Sequence, residues 1–251
     1  IRDPEMSRGL GDVYKRQVAV PFVGNYTEEK IKKVMQILKE DFAGFDAQLI
    51  IMDVVPWMLP YYEASGIQFE IEDNRDYMDY TFTPEQFLAG MDMQDDRYRY
   101  NYFKRRFAYE TEEITPFHRE EIREFMEREW CGEKTCEECH CGCLLRVIDN
   151  LVPVFDKIRI NGILVRVEGK MAGLCIVSCR NGLGVYQYKN AVNRIKGINE
   201  YLLRESFERY LQSADTINYT EDMGVENLRY YKEHMAPAHT LLSKLTLTER
   251  G

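Results

Sequence analysis

Glu221 stands two residues after Tyr219, at the end of the short run Thr216-Ile217-Asn218-Tyr219-Thr220. A carboxylate at the C-terminal edge of a strand can take a proton from an attacking amine, and a tyrosine on the same strand face can return one to a leaving group. These two are the candidate base and acid. The structural account of Glu221-Asp222 is negative charge facing the N-terminus of a helix that begins near Val225, and for Asp222 that account is preferred. Upstream, Arg194-Ile195-Lys196-Gly197-Ile198 opens another helix after a strand. Backbone N–H groups at such a start bind phosphate, so Gly197 and Ile198 are candidate backbone donors and Arg194 and Lys196 candidate charges. The same residues also suit a plain strand-to-helix turn. Arg229 and Lys232, on the helix after the acidic pair, are candidates to steady an acceptor's carboxylate or phosphate.

Two further stretches carry chemistry. Arg97-Tyr98-Arg99-Tyr100-Asn101-Tyr102-Phe103-Lys104-Arg105-Arg106-Phe107 interleaves basic and aromatic side chains, which can contact phosphates and stack on bases. On a helix Tyr100, Phe103 and Phe107 share one face, leaving Arg99 and Arg106 toward solvent as candidate substrate contacts. The alternative is an amphipathic linker helix, and both roles are compatible. Cys131, Cys136, Cys139, His140, Cys141 and Cys143 crowd one segment. Zinc needs about four converging soft ligands. Cys136, Cys139 and Cys143, with Cys131 or His140 as the fourth, are the candidate set for zinc or iron, against a reading as reduced surface thiols. Cys175 and Cys179 read as strand packing residues. His118, His234 and His239 lack triad partners at a telling spacing, and no nucleophile-elbow motif accompanies them, so hydrolysis is set aside.

The elements that must hold these groups follow from periodicity. Val18–Phe22 reads as a strand. Thr27-Glu28-Glu29 starts a helix with the stripe Ile31, Val34, Met35, Leu38 and Phe42, and Gln48–Asp53 reads as a buried strand. Pro56–Ser65 is a short helix ended by Gly66, and Gln68–Thr83 a strand with a turn at Asp73-Asn74-Arg75. Helices are expected from Thr83-Pro84, from Thr115-Pro116 through Trp130, and over Cys139–Phe155, where Pro153 bends or ends the last. Then come the hairpin Ile163–Glu168 with Gly173–Ser178, a strand Leu183–Tyr188, a helix from Arg194 to near Leu211, and a last short strand. Strand–helix–strand at 18–53 parallels that at 183–219, which suggests duplication. A chain of 251 residues with 45% apolar content can bury one large core or two smaller ones. Its net charge of −9 disfavours broad nucleic-acid binding, though a local basic patch remains able to contact one. The seven cysteines, an odd number without a secretory signal, favour a cytoplasmic location. No apolar run is long enough to span a membrane.

Hairpin, third strand, glycine turn, helix and parallel fourth strand is the order used by GNAT acyltransferases. Ile217–Arg229, with Asn218, the pair Glu221-Asp222, Gly224, Leu228 and Arg229, resembles a segment of bacterial proteins of uncharacterised function related to the C-terminal catalytic part of phosphatidylglycerol lysyltransferase. Met235-Ala236-Pro237 falls where that family has a turn before its last strands, and Glu72–Tyr80 resembles the strand joining its halves. The resemblance covers most of Val18 to Leu247. It implies an α/β fold of tandem GNAT-like acyltransferase domains, similar to enzymes that move aminoacyl groups from charged tRNA. It also maps Arg194 and Gly197 onto the Arg/Gln-x-x-Gly-x-Gly/Ala phosphate loop, with Asn199 in place of the small residue. The chain departs from the family in lacking the opening strands of the first domain and the membrane segment, and in the aromatic residues of its linker helix.

Residues 1–17 show no periodicity and resemble translated sequencing-adaptor read-through. They are set aside as non-native or disordered, with the native protein of a metagenomic fragment expected to continue upstream. Residues 18–83 are then expected to be the second half of a first GNAT-like domain, and 84–251 a second one with its linker helix and the Cys-rich loop 131–143. The expected activity is transfer from acyl-CoA or aminoacyl-tRNA to an amine or hydroxyl acceptor on a small molecule, lipid or peptide. The competing expectation is a non-catalytic binding or sensing module with metal in the cysteine loop.

Overall fold

The computed structural model describes residues 15–19, 27–42, 48–73, 75–131, 144–158, 160–235 and 239–249. Two compact units emerge: Ile1–Asp79 with Glu221–Val225 and Leu241–Gly251, and Tyr80–Thr220 with Glu226–Thr240. The boundary expected after residue 83 thus falls after Asp79, and the chain's last residues return to the first unit.

In the first unit, β1 (Lys15–Ala19) pairs parallel with β2 (Gln48–Val54), Lys15 opposite Gln48, with α1 (Glu28–Phe42) between them in sequence. The strand therefore begins three residues inside the segment set aside from sequence. Thr27 caps α1, its Oγ1 accepting the Lys30 N–H at 3.3 Å. Ile31 and Met35, four apart, turn the helix's apolar stripe into a core with Leu49, Ile51, Val54 and Tyr62. After the turn Pro56–Met58 come α2 (Leu59–Glu63) and β3 (Phe69–Asp73), separated by Gly66 at φ 80°.

β4 (Asp79–Phe82) leads to α3 (Pro84–Met91), where Thr83 and Gln86 cap each other reciprocally at 3.2 and 2.8 Å. α4 (Gln94–Arg106) follows, then β5 (Tyr109–Glu113). β5 has no counterpart among the sequence expectations. Its composition, Tyr-Glu-Thr-Glu-Glu, lacks an apolar alternation because it is the sheet's edge strand. Its backbone pairs with β6 from Tyr109 to Glu113, and at its surface Arg166 bonds Glu112 at 2.7 Å while clamping Glu121 with two bonds of 2.6 Å. α5 (Arg119–Met126) runs into a π-helical turn, Glu127–Cys131. His118, before it, caps rather than catalyses: its Nδ1 accepts the Thr115 N–H at 3.0 Å. α6 (Leu144–Leu151) ends in a turn at Val152–Val154, around Pro153.

β6 (Asn161–Val167), β7 (Lys170–Arg180) and β8 (Leu183–Ala191) form an antiparallel meander, followed by α7 (Ile198–Ser206) and β9 (Thr216–Asn218). α8 (Glu226–Met235), β10 (Thr240–Leu242) and β11 (Leu245–Glu249) complete the chain. The larger sheet has seven strands in the order β10-β4-β9-β8-β7-β6-β5, and the smaller four in the order β1-β2-β11-β3. Buried Phe87, Phe103, Phe125, Ile163, Leu174 and Ile176 belong to the core of the second unit. β8 and β9 are parallel, but they pair only over Leu183–Val185 and Thr216–Asn218. β8 then continues along β7, whereas Tyr219 donates its N–H to the Tyr80 carbonyl of β4. The two parallel strands part, and α7 connects them.

Candidate active site

The start of α7 is built around Gly197, at φ 88°, with no side-chain cap. A Cβ there would lie 2.1 Å from the Arg99 carbonyl oxygen of α4. The glycine therefore answers the close approach of the α4 backbone as much as any ligand. Around it opens a cleft of about 340 Å³ lined by Arg99, Asn193, Arg194, Lys196, Asn199 and Glu200. Arg194 is largely exposed, 3.8 Å from Glu129, and Arg99 bonds Glu200 at 3.2 Å. The structure thus brings Arg99, Arg194, Lys196 and Gly197 to one place. Ile198 departs from expectation: its N–H bonds the Ile195 carbonyl at 3.4 Å and its side chain is fully buried in the core. Arg106 lies exposed at the end of α4, and Arg229 is half-buried on α8.

The pairing of Glu221 with Tyr219 on one strand face is corrected. β9 ends at Asn218, whose Oδ1 accepts the Thr220 N–H at 2.7 Å, and Thr220 turns into the left-handed region at φ 57°. That turn breaks the alternation on which the shared face depended. Glu221 belongs to the first unit, where its carboxylate meets Lys244 at 3.3 Å. Lys244 also meets Asp79 at 2.9 Å and Asp53 at 3.7 Å. Burial works to lower its pKa, but Asp79, Glu221 and Asp53 together raise it, keeping the ammonium charged. That ion pair accounts for Glu221 without a catalytic role. Lys232 is corrected too. It is buried, its ammonium donating to the carbonyls of Tyr219 and Thr220 and lying over the Tyr219 ring at 4.7 Å, so it holds the turn and does not face an acceptor. Asp222 keeps its structural role, accepting from Gly224 N–H and Arg75.

Tyr219 is buried against Phe87 and Tyr186, rings 5.6 and 5.3 Å away, at the point where β8 and β9 diverge. Burial pushes its phenol above the ordinary tyrosine range, while Lys189 pulls the other way. Lys189, on β8, also donates to Asn199 at the cleft, 3.2 Å away. Sequence reasoning passed it over, because a lysine in a strand carries no motif.

Asp96 was missed as well. On α4, it shares a narrow crevice with Glu200 and Tyr231. Burial first, and the charge of Glu200 second, push its carboxyl above the ordinary range, with Arg99 opposing them. A carboxyl that holds its proton more tightly when folded loses stability as pH rises through its folded value. Asp96→Asn is therefore expected to raise Tm near pH 7, with the gain shrinking as pH falls below about 4, where the unfolded carboxyl also takes its proton. An equal gain at both ends of that range would refute the burial argument.

Of the candidate metal ligands, Cys136, Cys139, His140 and Cys143 lie outside the described residues, and Cys131 ends the π-helical turn with its side chain outside the description. Among the described residues no three His, Cys, Asp or Glu side chains gather as a metal site. Cys175 is buried, its thiol pushed up to about 11 by desolvation, in keeping with packing.

A parallel strand pair that parts beside a glycine-started helix, in a chain holding two strand–helix–strand units, is the arrangement of a tandem GNAT-like fold. The chain matches the family described as phosphatidylglycerol lysyltransferase, C-terminal, over residues 14–243, and belongs to it. A conserved protein of unknown function from Bacteroides thetaiotaomicron is similar at 25% identity and TM-score 0.74, over 93% of this chain and 79% of that one. L-PGS from Bacillus licheniformis is similar in fold at 14% identity and TM-score 0.62, over 93% and 77%. A tandem GNAT protein from the clavulanic acid biosynthesis pathway follows at 11% identity and TM-score 0.51, over 86% and 68%. No curated protein matches the chain. No described helix is long and apolar enough to cross a membrane.

Proposed function

We propose that this chain is a GNAT-type transferase, moving an acyl or aminoacyl group from a thioester or an aminoacyl-tRNA ester to an amine or hydroxyl of a small molecule, lipid or peptide. The observation that carries the reading is the basic cleft at the uncapped start of α7, beside the parting of β8 and β9. The donor's phosphate would take backbone N–H groups there, with Arg194, Lys196 and Arg99 supplying charge. The acceptor attacks the carbonyl carbon, the carbonyl oxygen becomes an oxyanion, and the bond to the leaving oxygen or sulfur breaks. The acceptor's proton ends on that leaving atom. Lys189 would face the oxyanion and Tyr219 would relay the proton, giving to the leaving atom and regaining from the acceptor. Arg106 and Arg229 would contact the acceptor or the donor's outlying phosphates.

The test is a transfer assay with acyl-CoA and with aminoacyl-tRNA, wild type against Arg194→Ala/Lys196→Ala. Each lost charged contact with phosphate is worth about 1.5 kcal/mol, so KM for the donor should rise on the order of a hundredfold with kcat little changed. Unchanged KM would remove the cleft from donor binding, and absence of transfer and binding with both donors would remove the reading.

A further inference from the structure

The aromatic residues of α4 divide into two kinds. Tyr100 stacks on Tyr201 with ring centroids 6.0 Å apart and planes at 15°, and Phe103 is fully buried. Both are accounted for by packing. Tyr98 and Tyr102 lie outside that core as a tilted pair with centroids 6.2 Å apart, Tyr98 being 51% exposed. What covers them is the ammonium of Lys196, 4.8 Å from the Tyr98 centroid and 5.1 Å from that of Tyr102. Lys196 also lines the cleft at the start of α7. One flexible cation thus serves two surfaces, a phosphate-sized basic cleft and a flat aromatic face beside it. Phosphate and planar ring at adjoining sites are the two halves of nucleotide recognition.

We propose that Tyr98, backed by Tyr102, is the stacking face for the base of a nucleotide whose phosphate enters the α7 cleft, and that Lys196 covers this face until the phosphate draws it away. The inference rests on the reading that the cleft takes the donor's anionic group. An ammonium over an exposed ring is held weakly, whereas phosphate offers it full charge and hydrogen bonds. The ligand chemistry is a purine nucleotide, whose wide ring makes the fullest contact with a tyrosine face. Coenzyme A and the 3′ end of an RNA both present it. Arg97, Arg105 and Arg106, exposed along the same helix, suit additional phosphates.

Calorimetric titration separates the parts, using ribose 5-phosphate, AMP, adenosine, coenzyme A and a short single-stranded RNA ending in adenosine. Wild type is expected to bind AMP about tenfold more tightly than ribose 5-phosphate, the scale of one base stacked on one aromatic ring. Tyr98→Ala should abolish that ratio and leave ribose 5-phosphate unaffected, while Tyr98→Phe keeps it. Lys196→Met should weaken ribose 5-phosphate yet strengthen adenosine, since the ring is then uncovered. Whichever of coenzyme A and RNA binds more tightly names the source, and either ranking supports the proposal. Equal affinity for AMP and ribose 5-phosphate, or Tyr98→Ala weakening both alike, overturns the stacking face while leaving the phosphate cleft standing. Failure of every phosphate to bind overturns both.

Discussion

Gly197→Ala is expected to destabilise the second unit by about 3 kcal/mol and to abolish anion binding in the cleft. Two costs add. The left-handed backbone at φ 88° strains any residue with a Cβ by about 1 kcal/mol. The added methyl would also meet the Arg99 carbonyl oxygen at 2.1 Å, its carbon at 2.9 Å and the Phe103 Cβ at 3.0 Å. Those first two atoms are helix backbone, so relief requires moving α4 as a whole, and overpacking of this kind costs about 2 kcal/mol. Thermal unfolding should show a fall of roughly 6–12 °C at this chain length. A variant with unaltered Tm would mean that α4 and α7 are not pressed together at this point, and the cleft's geometry would have to be redrawn.

Lys232→Met is expected to cost about 3 kcal/mol or more, comparable with breaking a buried polar network. Methionine matches the lysine stem, so packing survives and only the ammonium is lost. The carbonyls of Tyr219 and Thr220 would each lose a charged donor within a buried turn. Thr220 sits at φ 57°, and Lys232 helps hold that conformation. Hydrogen exchange around Tyr219 and Thr220 should rise along with the drop in Tm. The opposite pattern, intact stability with an altered KM for the acceptor, would restore the substrate contact inferred from sequence and refute the structural strut.

Much of the scaffold was readable because local rules agree with global packing. The stripe through Ile31 and Met35 is buried as periodicity demands, and Thr83-Pro84 opens α3 with Gln86 completing the cap. The hairpin of β6 and β7 turns at Glu168-Gly169, both at positive φ. What escaped was set by partners far away in sequence. β5 lacks an apolar signature since one flank is solvent and its anchor, Arg166, lies 54 residues on. The candidate site fared likewise. Arg194, Lys196, Gly197 and Arg99 were legible as a basic glycine turn and a basic helix that the fold brings together. Glu221 was misplaced because Asn218 bonds the Thr220 amide and ends the strand early, an event that strand alternation cannot register. Lys189 and Asp96 gain their roles only from Asn199, Tyr219 and Glu200, which no spacing rule connects to them.

β11 lies between β2 and β3, pairing antiparallel with both, Leu247 opposite Ile51 on one side and Ile71 on the other. Closure of the smaller sheet during synthesis therefore waits on Leu245–Glu249, made long after β2 and β3. The stretch from Tyr80 to Thr220 is continuous and holds most of the larger sheet, so it can begin to fold sooner. β2 and β3 are consequently made before that stretch yet completed after it, and a nascent chain must carry the open apolar edge of β2 until β11 arrives.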